Sequence, residues 1–270
     1  MIDRLQQFLA WLMNRVRVNQ IEEQVVDGVT VFIKRRRAGG GVVIWFANQF
    51  LVLAHSGVCL FVRTAEWVDW EIHCARLLYP QRTAVKRGPG RSLIVPQVRG
   101  VSLRQWLQRH ETGVGAFVAA ARELRRVHQI PCRYFQAAWS HGDLHLDNII
   151  YDQATDRAVL IDFDTRHDLR LNPTQRHSDD LQVMLLELLG LPDERWLQPA
   201  TALIEEYREA SVLNELGRQL IIPRGFAKIL WHTRIYGAAT SQLQQRLQSL
   251  RTIIQRVTST PPGDAGVHQG

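Results

Sequence analysis

The spacing of hydrophobic and polar positions changes along the chain, from alternation near the start to helical spacing in the second half. Val25-Val26, the turn signal Asp27-Gly28 and the alternating run at 29–34 predict a β-hairpin. After residue 165 the apolar positions recur at helical spacing, which predicts helices throughout that region. The sequence therefore predicts an α+β protein, with a smaller β-rich part first and a larger helical part second.

Shorter signals place the remaining elements. Apolar periodicity, β-branched runs and turn residues predict a helix at 66–78, a strand within 92–98, helices from about 102 and at 114–128, strands at 149–151 and 159–161, and helices at 179–189, 199–216 and 226–257. We expect an N-terminal lobe at 1–98, a C-terminal helical lobe at 99–258 and a disordered tail at 259–270. The two lobes would join near 96–100, with a cleft between them.

Two apolar stretches bear on membrane contact. Residues 2–16 have apolar positions at helical spacing with arginines between them, which predicts an amphipathic helix that packs on the protein or rests on a membrane surface. The stretch at 42–62 contains Asn48, Gln49 and His55, whose burial in hydrocarbon is costly. We therefore expect buried or interfacial structure at 42–62 and no transmembrane span.

Composition places the chain among globular proteins. Of its 270 residues, 46% are hydrophobic and 22% are charged, which excludes disordered, collagen-like and disulfide-stapled proteins. The three cysteines have no metal-ligand spacing and no secretory signal is evident, so we expect a cytoplasmic location. Lys and Arg outnumber Asp and Glu by 33 to 26, and this net charge of +7 favours anionic partners. The basic run at 81–110, which lacks acidic residues, is a solvated face or a contact for nucleic acid.

Residues 140–151 and 159–164 hold the clearest candidate chemistry. Because the two short strands there would form a hairpin, we expect Asp143, Asn148 and Asp162 to converge on one small volume. Carboxylate and amide oxygens suit Mg²⁺, which completes its shell with water and phosphate oxygens. Asp143 is the candidate to accept the proton of an acceptor hydroxyl. Asn148 and Asp162 would hold the metal that balances charge on a transferred phosphoryl group.

These residues resemble the protein-kinase-like superfamily. His141-Gly142-Asp143, followed by His145 and Asn148, is similar to the catalytic loop of its atypical members: aminoglycoside and choline phosphotransferases, Rio and Bud32 kinases, and lipopolysaccharide core kinases. Asp162-Phe163-Asp164 stands where the superfamily has its Asp-Phe-Gly metal motif, with Asp164 in place of glycine. The resemblance implies a two-lobed protein-kinase-like fold, with a small β-rich N-lobe and a larger helical C-lobe, that uses ATP and Mg²⁺.

The resemblance also implies site residues upstream of the catalytic loop. Lys34, at the end of an apolar strand, is expected to hold the nucleotide phosphates and act in catalysis. Glu71 is expected to pair with Lys34, and Glu66 competes for that role. The segment at 92–103 looks like the hinge between the lobes. Because proline has no N–H group, Gln97 or Val98 is expected to bind the adenine edge through its backbone.

Other features fit the superfamily less closely. Asp179 or Asp180 resembles the buried acid that braces the catalytic loop, although a plain acid at a helix N-terminus explains the pair almost as well. No Gly-x-Gly-x-x-Gly precedes Lys34, where only Asp27-Gly28 offers a turn over the phosphates, and no Ala-Pro-Glu follows the metal motif. These departures disfavour the ordinary Ser/Thr and Tyr protein kinases.

Within the superfamily, residues 31–86 resemble the corresponding segment of lipopolysaccharide core kinases, which phosphorylate heptose or Kdo sugars. The metal motif followed by Arg166 and Arg170 is also similar to the pattern of the Kdo kinases. The leading hypothesis is an ATP- and Mg²⁺-dependent kinase of lipopolysaccharide biosynthesis that acts on a core sugar hydroxyl. Its basic surface would touch the anionic inner face of the cytoplasmic membrane. A Rio/Bud32-like protein kinase, another small-molecule phosphotransferase and a non-catalytic binding module are the alternatives, and nucleic acid is not an expected partner.

Overall fold

The computed structural model describes residues 18–81, 84–109, 113–192, 195–235 and 240–260. Its strands are β1 (Asn19–Val26), β2 (Val29–Arg36), β3 (Val58–Leu60), β4 (Lys86–Gly88), β5 (Ser92–Pro96), β6 (Val101–Ser102), β7 (Pro131–Cys132), β8 (Ala137–Ala138), β9 (Ile149–Asp152), β10 (Arg157–Leu160) and β11 (Thr165–His167). Its helices are α1 (Gly40–Leu53), α2 (Thr64–Leu78), α3 (Leu103–Arg109), α4 (Val114–Val127), α5 (Pro173–Leu189), α6 (Leu197–Tyr207), α7 (Ala210–Gln219), α8 (Phe226–Arg234) and α9 (Thr240–Ser259). The helix predicted at 2–16 lies outside the described residues, as does nearly all of the tail predicted at 259–270.

β1 and β2 form the predicted hairpin, and the sheet that they begin carries Lys34. Asp27 and Gly28 both have positive φ, at 54° and 76°, which a tight two-residue hairpin turn requires. The sheet has the order β1-β2-β5-β4, and Lys34 of β2 pairs with Leu93 of β5. Because β2 has a hydrogen-bonded partner on each side, Lys34 sits within the sheet and is buried.

α2 confirms the helix predicted at 66–78 and begins slightly earlier, at Thr64. Trp67, Trp70 and Cys74 recur every three to four residues along the helix and are buried in the core. Glu71 lies on the same side as these residues and is also buried. The helical periodicity of α2 therefore turns one carboxylate toward the interior.

The apolar stretch at 42–62 forms most of α1 and all of β3. Most of the large apolar side chains of α1 are exposed, so burial of this stretch is only partial. β3 pairs antiparallel with β11, so that Cys59 lies opposite Arg166. This pairing joins the first part of the chain to the strand that directly follows the predicted metal motif. Within the described ranges, no helix has both the length and the apolar character needed to cross a membrane.

The second half is mostly helical, and the α+β organisation is confirmed, but the prediction of helix throughout this half is wrong. β11 interrupts it, because residues 165–167 pair with β3. The helix predicted at 199–216 is two helices, α6 and α7, and Arg208 between them has a φ of 48°. The helix predicted at 226–257 is also two, α8 and α9. Apolar spacing does not reveal such breaks. The lobe boundary at 98–99 stays a prediction.

α5 begins at Pro173, earlier than the predicted start at 179, because a capping box forms there. The Asn172 side chain accepts a hydrogen bond from the Gln175 N–H at 3.0 Å, and the Gln175 side chain accepts one from the Asn172 N–H at 3.1 Å. Proline at the first helical position has the φ that a helix needs. This early start places Asp180 and Glu187 on a well-anchored helix that packs behind the predicted catalytic loop.

Candidate active site

The loop at 141–148 lies beside the end of β10. The Ile161 N–H donates to the Asn148 carbonyl at 2.9 Å, and the His141 imidazole is 3.0 Å from the Ile161 carbonyl. These bonds bring Asp162, the next residue along the chain, to the loop. The hairpin expected from the sequence therefore does join the two motifs, and His141 holds backbone at that junction.

A second element, α5, fixes the loop from behind. Asp180 accepts hydrogen bonds from the N–H groups of His141 and Gly142, both at 2.8 Å. Asp179 instead lies 3.1 Å from the His167 ring. Of the two acids singled out in the sequence, Asp180 is thus the one that braces the loop. It is fully buried, and its neighbours keep its pKa well below the ordinary value although burial alone would raise it.

Lys34 lies between two carboxylates that are far apart in sequence. Its Nζ is 2.9 Å from Glu71 Oε1 and 2.7 Å from Asp162 Oδ1. Glu66, the competing candidate, faces solvent and lies 3.3 Å from Arg63. The structure therefore brings Lys34, Glu71 and Asp162 together and leaves Glu66 outside the site.

Asp164 joins this group as a third acid. The Trp67 indole N–H donates to Asp164 Oδ1, and the Asn19 side-chain amide donates to Asp164 Oδ2 at 2.6 Å. One oxygen each of Glu71, Asp162 and Asp164 lies within 4.8 Å of the others. We call these three residues the acidic cluster. The role of Asp164 was not assigned from the sequence, since its partners come from distant segments.

The acidic cluster holds more negative charge than the one lysine balances. Burial by itself would lower the pKa of Lys34, but the charges of Asp162, Glu71 and Asp164 outweigh it and raise that pKa well above its ordinary value. Burial, together with the charge of Asp162, raises the pKa of Asp164 well above the ordinary value. A divalent cation would supply the missing positive charge and favour the ionised form of Asp164.

The donor set at this point fits Mg²⁺. Lys34 engages one oxygen each of Glu71 and Asp162, and Asp164 accepts from Trp67 and Asn19. Each carboxylate oxygen has more than one lone pair, so Asp162 and Asp164 can keep these bonds and still face a metal ion. The Asn148 amide nitrogen donates to the Asp143 carbonyl at 2.9 Å, which leaves Asn148 Oδ1 as a ligand atom. Two carboxylates and an amide oxygen are hard ligands of the kind that Mg²⁺ takes alongside water and phosphate.

Asp143 has a very different environment, with two cations on one oxygen. Its Oδ1 lies 3.0 Å from His145 Nε2 and 3.0 Å from Arg234 Nη2. Burial alone would raise the pKa of Asp143, but the positive charges of His145 and Arg234 lower it well below the ordinary value. Asp143 is therefore ionised at neutral pH. We call Asp143, His145 and Arg234 the Asp143 group.

His145 is held between two acids. Its other ring nitrogen, Nδ1, bonds Glu187 of α5, which also accepts from the Leu146 N–H at 3.0 Å and from Arg104 at 2.8 Å. Burial would lower the pKa of His145, but the charge of Asp143 and the bonds to both acids raise it to about 9. The imidazole is thus protonated at neutral pH. Glu187 is a site residue that the sequence reasoning missed.

Arg234 was also missed from the sequence. It ends α8 and lies 91 positions along the chain from Asp143, so no local motif points to it. Among the described residues, its Nη1 atom is buried without a hydrogen-bond partner. One nitrogen of this guanidinium thus binds Asp143, and the other is able to donate to a further group.

The predicted hinge, 92–103, begins with β5. The Gln97 N–H donates to the Thr30 carbonyl at 2.9 Å, which ties the end of β5 to the hairpin. No main-chain hydrogen bond involves the Val98 N–H within the described ranges. Of the two candidates for binding an adenine edge through an N–H group, Val98 is the one whose amide remains available.

Residues 71–207, slightly more than half of the chain, match the model of the lipopolysaccharide kinase (Kdo/WaaP) family. No curated protein matches the chain. A crystal structure of the ADP-bound aminoglycoside phosphotransferase APH(2'')-Ib aligns with a TM-score of 0.42 and 11% sequence identity, over 93% of this chain and 98% of that chain. The family match includes Glu71, Asp143, Asn148 and Asp162.

Proposed function

The chain belongs to the lipopolysaccharide kinase (Kdo/WaaP) family, and we propose that it transfers the γ-phosphate of ATP to a hydroxyl group of a lipopolysaccharide core sugar. Membership of this family makes the protein a kinase that uses a nucleotide and acts on a hydroxyl acceptor. The confirmed resemblance rests on the catalytic loop and the metal motif.

The contact of Lys34 with both Glu71 and Asp162 carries the proposal. Those two carboxylates lie 37 and 128 positions from Lys34 in the sequence, and both are within 2.9 Å of its amine. A phosphate-binding lysine needs a fixed position next to the metal ligands, because phosphoryl transfer depends mainly on placing and stabilising charge. Glu71 fixes Lys34, and Lys34 would turn to the nucleotide phosphates when they enter.

We assign the metal to Asp162, Asn148 and Asp164, and the adenine edge to the Val98 backbone. Bound Mg²⁺ would neutralise charge on the phosphate oxygens. Asp162 and Asp164 supply carboxylate oxygens, and Asn148 supplies an amide oxygen while its nitrogen holds the catalytic loop. Glu71 keeps Lys34 in place throughout.

We assign to Asp143 the role of binding the acceptor hydroxyl and accepting its proton. An ionised carboxylate accepts a hydrogen bond from the hydroxyl, orients its oxygen and takes its proton as the bond to phosphorus forms. Arg234 and His145 hold the carboxylate oxygen in place and keep it ionised before the acceptor arrives. Asp180 and Glu187 act through the loop, as positioning residues.

The acceptor that we propose is anionic and attached to a membrane, which suits the charge of the chain. The net charge of +7 favours a negatively charged partner. We place the kinase at the inner face of the cytoplasmic membrane, in peripheral contact with anionic lipid.

An acceptor assay tests the proposal. The purified protein is incubated with γ-labelled ATP, Mg²⁺ and dephosphorylated core lipopolysaccharide, with Asp143→Asn as the matched inactive control. We expect label on the lipopolysaccharide with the unmodified protein and none with the variant. Label found only on protein would instead support a Rio/Bud32-like kinase, and nucleotide binding without transfer to any acceptor would support a binding module.

A further inference from the structure

α1 is an uncharged helix whose outer side is apolar. It contains no Asp, Glu, Lys or Arg, and only Gly40, Ile44 and Leu51 are buried. A helix on a protein surface normally turns mostly polar residues toward water, whereas α1 turns mostly apolar ones, and Gln49 is its one exposed polar residue. Its large apolar side chains that are 42 to 63% exposed are Val42, Val43, Trp45, Phe46, Val52 and Leu53.

The rest of the protein holds α1 firmly in this orientation. The Asn48 amide group bonds the main chain of Leu60 twice, donating to the carbonyl at 2.9 Å and accepting from the N–H at 2.8 Å. The Phe50 ring packs edge-on against Phe226 of α8, with ring centroids 5.8 Å apart. Asn48 therefore anchors α1 to β3, and this contact keeps the six large apolar side chains on the exposed side.

Neighbouring side chains extend this apolar area at both ends. Val62 is 40% exposed, and its carbonyl lies beside Gly41 near the start of α1. Phe226, in contact with Phe50, is 48% exposed. We call the six exposed side chains of α1, together with Val62 and Phe226, the α1 surface.

The rim of the α1 surface is basic. Arg37 precedes α1 and Arg224 precedes Phe226; both are exposed, and neither forms an ion pair with another described residue. Arg63, next to Val62, has a side chain that is 82% exposed and pairs with Glu66 at 3.3 Å, so Arg37 and Arg224 carry most of the net positive charge of the rim. The segments that carry the α1 surface, 37–63 and 224–226, contain no Asp or Glu. Apolar side chains with arginines beside them fit a partner that has an apolar interior and a negatively charged surface.

An anionic bilayer has an apolar interior and a negatively charged surface, whereas a second copy of the chain would present another basic rim. A symmetric dimer through the α1 surface would place the same basic rims against each other, and like charges in contact oppose association. In a bilayer, aromatic and aliphatic side chains enter the boundary between headgroups and acyl chains, while arginines contact the lipid phosphates.

The α1 surface is also connected to the proposed acceptor site. α8 has nine residues. It begins with Phe226 at the α1 surface and ends with Arg234 on Asp143. Since a helix rises ~1.5 Å per residue, about 12 Å separates the two ends. A bilayer in contact with the α1 surface would therefore lie within reach of a sugar placed at Asp143.

We propose that the α1 surface docks on an anionic bilayer, with its apolar side chains in the interface and Arg37 and Arg224 on lipid phosphates, and so presents a lipid-anchored acceptor to Asp143. The part that concerns the acceptor rests on the proposed function, whereas bilayer docking stands on the surface itself.

Vesicle binding by the full-length protein tests the inference. Binding is measured with phosphatidylglycerol-containing vesicles and with vesicles of phosphatidylcholine alone, for the unmodified chain and for Phe46→Glu. We expect binding to the anionic vesicles, weakened about tenfold or more by Phe46→Glu. Val25→Glu is the matched control, because Val25 is 70% exposed on β1 and outside the α1 surface. Trp45→Glu is a second variant, and thermal unfolding checks that each variant is folded.

Three results would overturn the inference. Equal vesicle binding by Phe46→Glu, Trp45→Glu and the unmodified chain would exclude α1 as the contact. Loss of binding with Phe8→Glu alone would assign the contact to residues 2–16. A dimer in solution that Phe46→Glu converts to a monomer, without vesicle binding, would assign the surface to self-association.

Activity separates this inference from the proposed function. With an acylated acceptor in anionic vesicles, we expect Phe46→Glu to lose about tenfold in kcat/KM. With a water-soluble, deacylated core oligosaccharide, we expect the variant and the unmodified chain to be equal. If the unmodified chain phosphorylates neither acceptor yet binds vesicles through α1, the proposed function fails and bilayer docking stands.

Discussion

The acidic cluster and the Asp143 group are neighbouring parts of one site, and each combines carboxylates with cations. In the acidic cluster one lysine faces three acids, so negative charge is in excess. In the Asp143 group, two cations meet a single carboxylate oxygen. With Glu187 behind His145, the two cations are balanced by two carboxylates, so this group has no excess of negative charge.

This difference in charge supports the proposed division of ligands within the site. A group of acids that share one cation attracts a divalent metal ion together with the phosphates that the metal carries. A carboxylate covered by cations is ionised, and its cations are able to receive an anionic acceptor. Under the proposed function, the metal–nucleotide complex would bind at the acidic cluster and the acceptor would bind at the Asp143 group.

The largest expected effect comes from Asp143→Asn, which removes the only carboxylate of the Asp143 group. We expect kcat to fall by about 10³-fold or more, because the acceptor hydroxyl loses its proton acceptor. The affinity for Mg²⁺–ATP, measured by calorimetry, is expected to stay within about twofold, since the acidic cluster is intact. A near-normal kcat in this variant would contradict the role of Asp143 as proton acceptor.

A smaller effect is expected from Glu71→Gln in the acidic cluster. Lys34 would lose the buried carboxylate that fixes it, and we expect kcat/KM for ATP to fall by about 10²-fold. Glu66→Gln is the matched control on the same helix, because Glu66 is exposed and pairs with Arg63 outside the site. Equal nucleotide kinetics in both variants would contradict the assignment of Glu71.

Arg234→Ala is expected to act on the acceptor side only. Loss of a charge-assisted contact would raise the KM for an anionic acceptor by about tenfold, with KM for ATP unchanged. Arg234→Lys is expected to recover part of the effect. Arg218→Ala is the control, since Arg218 is exposed on α7 and pairs with Glu215. A change in KM for ATP alone would reverse the proposed division of ligands.

The smallest expected effect is a dependence of folding stability on pH through His145. The folded pKa of about 9 lies above the ordinary 6.5, so protonation favours the folded state. This stabilisation is complete below pH 6.5 and is lost as the pH rises through 9. With a ring that is 34% exposed, we expect a loss of about 1 to 2 kcal/mol.

Urea unfolding between pH 6 and 10 measures this loss, and His145→Gln supplies the control. The glutamine does not titrate, so the fall in unfolding free energy over this range is expected to be smaller in the variant by the same amount. An identical pH dependence in the two proteins would show that His145 is not the titrating group.

The sequence by itself determined the parts of the protein that depend on local signals. The turn at Asp27-Gly28 fixed the first hairpin, and the short strands at 149–151 and 159–161 fixed the second. Asp143, Asn148 and Asp162 lie within a span of 20 residues, and one hairpin brings the Asn148 carbonyl to the Ile161 N–H beside Asp162. The family resemblance and the α+β class follow from such segments.

Only the tertiary structure distinguished between candidate site residues that the local sequence pattern supports equally well. Glu66 and Glu71 are five positions apart on α2, which places them roughly 140° apart around the helix, and only packing against the sheet decides which one meets Lys34. Asp164 meets Asn19, 145 positions away, and Arg234 meets Asp143 only because α8 packs there. Contacts between residues so far apart in sequence depend on how complete helices and strands pack against each other. Hydrophobic periodicity carries no information about that packing.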